Sequence, residues 1–306
     1  MTGGRPREAV AVLLLLSAAS LGAQSPVFRA ETRLVVLHAS VTNRRGELVT
    51  NLDERAFSVF ENGKRQPITL FRRDDIPVSL GLLIDNSGSM RSLRSKVEAA
   101  ALAFARASNP EDEMFVLNFA DKARLDVPMT SDPRVLERGI ARVDSIGGTA
   151  MRDALEAAEA YLRDRAKQDR RVLLVITDGI DNASTATAAV IQRQAERTET
   201  VIDAVGLFHD QDESRASTGR HELKDLTERT GGVAYFPQNV EQIESVAVDL
   251  ARQIRSQYTI AYAPTNQALD GSYRAIRVTV SGPDRYTVRT RAGYRAVTGA
   301  PETEHR

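Results

Sequence analysis

The chain of 306 residues contains no cysteine, and its 41 basic residues are balanced by 41 acidic ones. The absence of cysteine excludes thiol catalysis, disulfide bonds and thiolate metal sites. A net charge of zero provides no long-range attraction to nucleic acid or anionic lipid, and the sequence shows no basic stripe. The hydrophobic fraction of 42% is ample for a packed core in one large domain or two modest ones.

Long apolar runs are also lacking, because no stretch reaches the roughly 20 residues that a membrane span needs. The apolar run near the N-terminus follows Arg5 and Arg7 and leads into small residues that end at Ala23. This order predicts a cleaved secretory signal peptide over residues 1–23, and so a periplasmic or secreted protein. A membrane anchor is the alternative, and the run is short for it. A lipoprotein is excluded, because the chain has no cysteine to carry a lipid.

Short apolar strands alternate with amphipathic helices between residues 77 and 257. The strands are predicted at residues 78–84, 113–119, 171–177 and 201–208. The helices are predicted to begin near Met90, Asp132, Ala150, Ala183, Arg220 and Val240. Continuous apolar runs suit parallel strands that are buried on both faces. The alternation therefore predicts an α/β fold with a doubly wound, mostly parallel, Rossmann-like sheet.

The segments on either side, residues 31–72 and 258–296, have strand composition. Asn62-Gly63 is the strongest hairpin signal in the chain, between predicted strands at residues 57–61 and 64–71. Each segment alone is small for an independent core. We expect the two to pair into one β domain, with the α/β domain at residues 77–257 inserted between them. The alternative is two separate appendages that each pack on the α/β domain.

Five oxygen-bearing side chains stand at ends of predicted elements: Asp85, Ser87, Ser89, Thr149 and Asp178. In an open α/β sheet, ligands bind outside the carboxyl ends of the strands, where these residues should meet. Two carboxylates and three hydroxyls suit Mg²⁺, Mn²⁺ or Ca²⁺ and disfavour zinc or copper. Taken singly, the hydroxyls have another explanation as helix N-caps. Together at one edge of one sheet, they predict a metal site.

The pattern Asp-x-Ser-x-Ser, followed by a distant Thr and a distant Asp, resembles the metal-ion-dependent adhesion site of von Willebrand factor type A domains. The resemblance covers about residues 77–257, and the flanking segments resemble exported bacterial VWFA-related proteins common in Acidobacteria. It implies that Ser87, Ser89 and Thr149 coordinate the metal directly or through water. Asp85 and Asp178 would mostly hold waters. An open coordination position would take the acidic side chain of a partner protein.

Two side features are less specific. Asp153 lies one helical turn after Thr149, and is either a hydrogen-bond partner of the site or a solvated or helix-start carboxylate. The acidic cluster Asp210, Asp212 and Glu213 lacks the spacing of a calcium loop, so we interpret it as a solvated loop.

Catalytic motifs are missing. The chain has no Gly-x-Ser-x-Gly elbow, Walker loop or Gly-x-Gly-x-x-Gly loop, and its four histidines are interpreted as surface residues. We therefore predict a binding module and not an enzyme. A metal-dependent hydrolase on the same fold, and a structural domain with an unused site, stay open as alternatives.

Overall fold

A computed structural model describes residues 34–140, 146–208, 213–239 and 241–297. The predicted signal peptide lies outside these residues, as do Asp210 and Asp212. The strands are β1 (Val35–Thr42), β2 (Phe57–Glu61), β3 (Lys64–Gln66), β4 (Ile68–Arg72), β5 (Val78–Asp85), β6 (Glu113–Phe119), β7 (Ala123–Thr130), β8 (Arg170–Thr177), β9 (Val201–Gly206), β10 (Ala234–Tyr235), β11 (Tyr258–Tyr262), β12 (Tyr273–Val280), β13 (Thr287–Arg289) and β14 (Gly293–Arg295). The α-helices are α1 (Arg94–Ala107), α2 (Pro133–Ile140), α3 (Met151–Arg165), α4 (Ala188–Ala195), α5 (Glu213–Thr230) and α6 (Gln242–Arg255).

The central sheet has the strand order β10-β9-β8-β5-β6-β7, and only β7 runs antiparallel to its neighbour. Helices α1, α2 and α6 pack on one face, and α3, α4 and α5 pack on the other. Strand β5 is buried along its whole length because both of its faces are covered. The prediction of a doubly wound, mostly parallel α/β sheet is confirmed.

Strand β7 is the main element of this sheet that the sequence pattern did not predict. It pairs only with β6, and a single one of its eight residues, Val127, is buried. An edge strand of this kind carries little hydrophobic signal. Two helices also begin elsewhere than predicted. Helix α4 begins at Ala188 and not near Ala183, and α5 already begins at Glu213.

The N- and C-terminal segments form two further antiparallel sheets, with strand orders β13-β1-β11-β4 and β14-β12-β2-β3. Each sheet contains strands from both segments. Their facing side chains share one core, which includes Leu37, Val59, Ile260 and Val278. The expected pairing of the flanking segments is thus present. Because the described residues from 34 onward are not divided into separate compact units, the domain boundaries at residues 72, 77 and 257 stay predictions.

The predicted hairpin is present, but its second strand is shorter than expected. Asn62 and Gly63 have φ angles of 48° and 80°, which suit the tight turn between β2 and β3. Strand β3 ends before Pro67, which has no N–H to donate to a partner strand. After Pro67 the chain enters the other sheet, where β4 pairs with β11.

Candidate metal centre

Three loops meet at the carboxyl ends of the central strands. The first follows β5, the second precedes α3, and the third follows β8, which is the neighbour of β5 in the sheet. The first two loops are joined by main-chain hydrogen bonds. The amide of Ile146 donates to the Asn86 carbonyl over 3.1 Å, and the amide of Gly88 donates to the Gly147 carbonyl over 3.1 Å. The fold therefore places the three predicted ligand segments side by side.

The side chains of these loops are in contact. The hydroxyl oxygens of Ser87 and Ser89 lie 3.1 Å apart, and the Ser89 hydroxyl donates to Asp178 Oδ1 over 2.9 Å. The Thr149 hydroxyl oxygen lies 3.2 Å from the point where a side chain on Gly179 would begin, beside Asp178. Four of the predicted ligands are therefore gathered at one place, and their binding of a metal stays a prediction.

Asp85, the fifth predicted ligand, is held from two sides beneath this group. Its Oδ1 accepts the Ser87 amide over 2.8 Å, and its Oδ2 accepts the Thr177 hydroxyl over 2.5 Å. Burial raises the pKa of Asp85 to about 6, against the opposing effect of these hydrogen bonds, and the nearby charge of Asp178 adds to the rise. A cation at this place would favour the charged form of both carboxyls.

The helix-cap explanation of the hydroxyls is not supported. The Gly88–Ser92 segment is a 3-10 turn with Ser87 at its cap position, but no side-chain hydrogen bond caps it. Helix α1 begins only at Arg94, again without a side-chain cap. The cap position of α3 is Ala150, and the amides of Arg152 and Asp153 donate to Asp181 and Ser184, not to Thr149. Ser87, which is 2% exposed, and Thr149, which is 3% exposed, thus bury hydroxyls that cap no helix.

The composition of the site fits a hard cation held largely by hydroxyls. Within the described ranges, no group of three or more His, Cys, Asp or Glu side chains is placed to hold a metal. The five side chains gathered here supply two carboxylates and three hydroxyls, a set that suits Mg²⁺, Mn²⁺ or Ca²⁺. The residues present therefore fit the ion that the sequence pattern predicts.

Three residues that support the site were not identified from the sequence. Thr177 donates to Asp85, the carboxylate of Asp121 accepts the amide of Gly148 over 2.7 Å, and the side chain of Asn182 accepts the amide of Thr149 over 2.9 Å. Thr177 directly precedes Asp178 at the end of β8, so its position was a usable signal. Asp121 and Asn182 are far in sequence from the residues they hold, and no local pattern marks them.

Asp153 does not reach the ligand group with its carboxylate. It accepts the amide of Thr185 over 3.0 Å and the amide of Ala186 over 2.8 Å. Of the readings left open for it, the helix-start carboxylate describes its place, because Asp153 lies in the first turn of α3. Its carboxylate does not hold the ligand group. Asp153 instead fixes the loop that follows Asp178.

His38 corrects the interpretation of all four histidines as surface residues. It is half-buried in β1, and its Nδ1 lies 3.4 Å from the Thr259 hydroxyl. Burial, followed by the charges of Arg170 and Arg291, lowers the pKa of His38 to about 3. It lies in a flanking sheet, so it contributes no base to the candidate site.

Comparison with known proteins finds a family model that matches the part of the chain around the site. Residues 80–180 match the family model of the von Willebrand factor type A domain, and this range holds all five predicted ligands. A search of curated proteins finds no match. In the part of the chain that the structure describes, no helix is long and apolar enough to cross a membrane.

Solved structures share the fold at low sequence identity. A von Willebrand factor type A protein from Catenulispora acidiphila is 15% identical, with a TM-score of 0.53, over 88% of this chain and 75% of that one. Proximal thread matrix protein 1 from the mussel byssus is 17% identical, with a TM-score of 0.50, over 64% of this chain and 51% of that one. The pilus adhesin SpaC from Lactobacillus rhamnosus GG is 10% identical, with a TM-score of 0.50, over 72% of this chain and 44% of that one.

Proposed function

We propose that this chain, which contains a von Willebrand factor type A domain, is a protein-binding module that captures an acidic side chain of its partner through a divalent metal ion. Asp85, Ser87, Ser89, Thr149 and Asp178 would hold the ion, with Mg²⁺ as the first candidate and Mn²⁺ or Ca²⁺ as substitutes. The bound ion would supply positive charge to a carboxylate of the partner.

The observation that carries the proposal is the contact between Ser87, Ser89 and Asp178 at the carboxyl edge of the sheet. The hydroxyl oxygens of Ser87, Ser89 and Thr149 are neutral ligands, and Asp85 and Asp178 would mostly hold waters. Few negative charges would therefore touch a bound divalent cation directly, and an incoming Asp or Glu side chain would be attracted to it. Ser89 is exposed, whereas Asp85 is 1% exposed, so a partner would reach the group from the side of Ser89.

A non-enzymatic role is part of the proposal. The structure places no histidine beside the site among the described residues, since His38 lies in a flanking sheet and His221 lies in α5. SpaC, which shares the fold, is named as a pilus adhesin.

Export completes the proposal. Cleavage after Ala23 would leave a mature protein that begins near Gln24 and works in the periplasm or outside the cell. N-terminal sequencing of exported material tests this, and an intact Met1 on the cytoplasmic protein would contradict it. The partner is expected to be a protein with an exposed acidic side chain.

Substitution of Asp85 or Thr149 by alanine tests the binding role. We expect calorimetry on the mature parent to show one saturable site for Mg²⁺ or Mn²⁺ near millimolar concentration, because ions that keep several waters bind weakly. Asp85→Ala and Thr149→Ala should lose this binding, and with it the metal-dependent recovery of a partner from exported proteins. Both should keep the parent's circular dichroism, because neither side chain fills the hydrophobic core.

Asp132→Asn is a suitable control, since it keeps an oxygen that can accept the Arg134 amide and lies near the amino end of β6, at the sheet edge opposite the site. It should bind the metal within a fewfold of the parent. Absence of saturable metal binding in the parent protein would contradict the proposed metal site. Partner recovery that resists chelator, or that survives in Thr149→Ala, would show that the contact lies elsewhere.

A further inference from the structure

The amino end of α3 adjoins the candidate site, and its main-chain donors are satisfied by a different loop. The first N–H groups of a helix have no partner within the helix. Here the amide of Arg152 donates to Asp181 Oδ2 over 2.7 Å, and the amide of Asp153 donates to the Ser184 hydroxyl over 3.0 Å. Residues 181–184, which we term the capping segment, lie just after Asp178. Because residues 181–184 cap α3, the helix needs no cap from the residues that directly precede it.

Asn182, within the capping segment, holds Thr149 through both main-chain groups. Its side-chain oxygen accepts the Thr149 amide over 2.9 Å, and its own amide donates to the Thr149 carbonyl over 3.0 Å. The amide of Ala183 adds a third bond to the same carbonyl, over 3.2 Å. With its main chain held in this way, Thr149 leaves its hydroxyl against Gly179 and caps no helix.

The glycines before Thr149 leave room for this arrangement. A side chain on Gly148 would begin 2.7 Å from Asn182 Oδ1 and 3.0 Å from Asp121 Oδ1. Gly147 has a φ of 99°, which a residue with a side chain rarely adopts. The side-chain oxygens of Asn182 and Asp121 therefore both lie against Gly148. A side chain at position 148 would clash with them, so the arrangement requires glycine there.

We propose that Asn182 is a positioning residue for the metal centre. It sets the place of Thr149 relative to Asp178, because Asn182 and Asp178 belong to the same loop while Thr149 belongs to another. This inference rests on the proposed function for its consequence, since the positioned hydroxyl serves the metal. We term the hydrogen bonds that Asn182 and Ala183 make to the Thr149 main chain the clamp. The clamp is present in the metal-free chain and can be measured without any ion.

Asn182→Ala tests the clamp in two ways. In the metal-free protein, the Thr149 amide should exchange with solvent about tenfold faster, because it loses its acceptor. In calorimetry with Mn²⁺, the affinity should fall about five- to tenfold, which is the effect of one lost hydrogen bond. The fold should persist, because Asn182 is exposed and its removal opens no cavity.

The matched control is Asn43→Ala, which removes an asparagine oxygen that accepts the amides of Arg45 and Glu47 in a remote turn. Asn43→Ala should leave both readouts unchanged.

A double variant separates positioning from general loosening of the loop. If Asn182 acts through the Thr149 hydroxyl, adding Asn182→Ala to Thr149→Ala should change the residual Mn²⁺ affinity, measured up to tens of millimolar metal, by less than twofold. An equal loss of affinity in both backgrounds would overturn the proposal. So would parent-like Mn²⁺ affinity in Asn182→Ala, or an unchanged exchange rate of the Thr149 amide. A parent that binds no metal would overturn the proposed function, and the exchange rate would still decide whether the clamp exists.

Discussion

Two carboxylates are buried at strand ends in different parts of this molecule, and their surroundings differ. Glu61 ends β2 in the flanking sheets, and its Oε2 accepts the Tyr262 hydroxyl over 2.8 Å and the Tyr294 hydroxyl over 2.9 Å. Both tyrosines belong to the C-terminal segment, whereas Glu61 belongs to the N-terminal one. Burial, with a further contribution from Glu61, raises the pKa of Tyr262, so this phenol stays protonated and keeps donating. Glu61 thus joins the two segments through rigid side chains.

Asp85, at the end of β5, has donors of a different kind. Its oxygens accept one short hydroxyl from Thr177 and one amide from Ser87, and a second carboxylate, Asp178, lies close enough to raise its pKa. Two adjacent acids surrounded by small hydroxyls on loops leave negative charge that a cation can balance. The comparison indicates a structural role for Glu61, because long donors from other strands hold it. For Asp85, which has short donors and a second acid beside it, we propose a role in metal binding.

Among the changes that test this comparison, removal of the C-terminal segment should have the largest effect on the structure. A chain that ends at Arg255 lacks β11 and β13, which flank β1, and β12, which pairs with β2. The N-terminal strands would then expose unpaired edges and aggregate, or lose protection from proteolysis across residues 34–72. Limited proteolysis followed by mass spectrometry measures this against the full-length chain.

The proposed division into a β domain and an inserted α/β domain also predicts that the truncated chain keeps its metal site. Calorimetry with Mn²⁺ on any soluble truncated protein checks this second expectation. Unchanged protection of residues 34–72 after the deletion would rule out a shared β domain. It would favour two separate appendages on the α/β domain.

Glu61→Ala should have the next largest effect. The substitution leaves the Tyr262 hydroxyl without its acceptor and removes packed atoms, so we expect a loss of about 2–4 kcal/mol in the free energy of unfolding. Urea unfolding measures it. Glu47→Ala, which removes an exposed carboxylate, should cost less than about 1 kcal/mol. Equal losses of unfolding free energy in the two variants would show that Glu61 does not join the segments. A fall in the metal affinity of Glu61→Ala would contradict the contrast with Asp85.

Glu159 provides a smaller test, through pH. This buried acid of α3 accepts the Thr200 hydroxyl over 3.0 Å, and burial raises its pKa from 4.5 to about 7. The folded state therefore binds the proton more tightly than the unfolded one, and stability falls as the pH rises from 4.5 through 7. In Glu159→Gln we expect the loss of unfolding free energy over this pH range to be smaller by about 2 kcal/mol. This value lies within the range that the pKa shift of Glu159 allows.

The measurement for Glu159 is the unfolding free energy in urea at pH 5 and pH 8. The matched control is Glu156→Gln, an exposed position on the same helix, which should keep the parent's pH dependence. A Glu159→Gln variant that loses as much stability as the parent between these pH values would show that the acid is charged in both states.

The fold class was predictable because its signals are local. The run that became β8 has five consecutive apolar residues at positions 172–176, which is typical of parallel strands buried on both faces. Strand β7 gave no such signal, since one face of an edge strand meets solvent. The split of the predicted strand 64–71 into β3 and β4 depended on Pro67 and on the existence of β11, about 190 residues away, as a second partner.

Within the candidate site, the sequence by itself determined which ligand types are present and in which order, because Asp85, Ser87 and Ser89 lie within one short loop. Only the tertiary structure decided that the Thr149 hydroxyl caps no helix, that Asn182 and Asp121 hold its turn, and that Asp153 fixes a loop. The physical reason is the range of the interactions. Periodicity and turn chemistry act between neighbours in sequence, whereas the partner of a lone polar side chain is chosen by packing between loops some 30 residues apart.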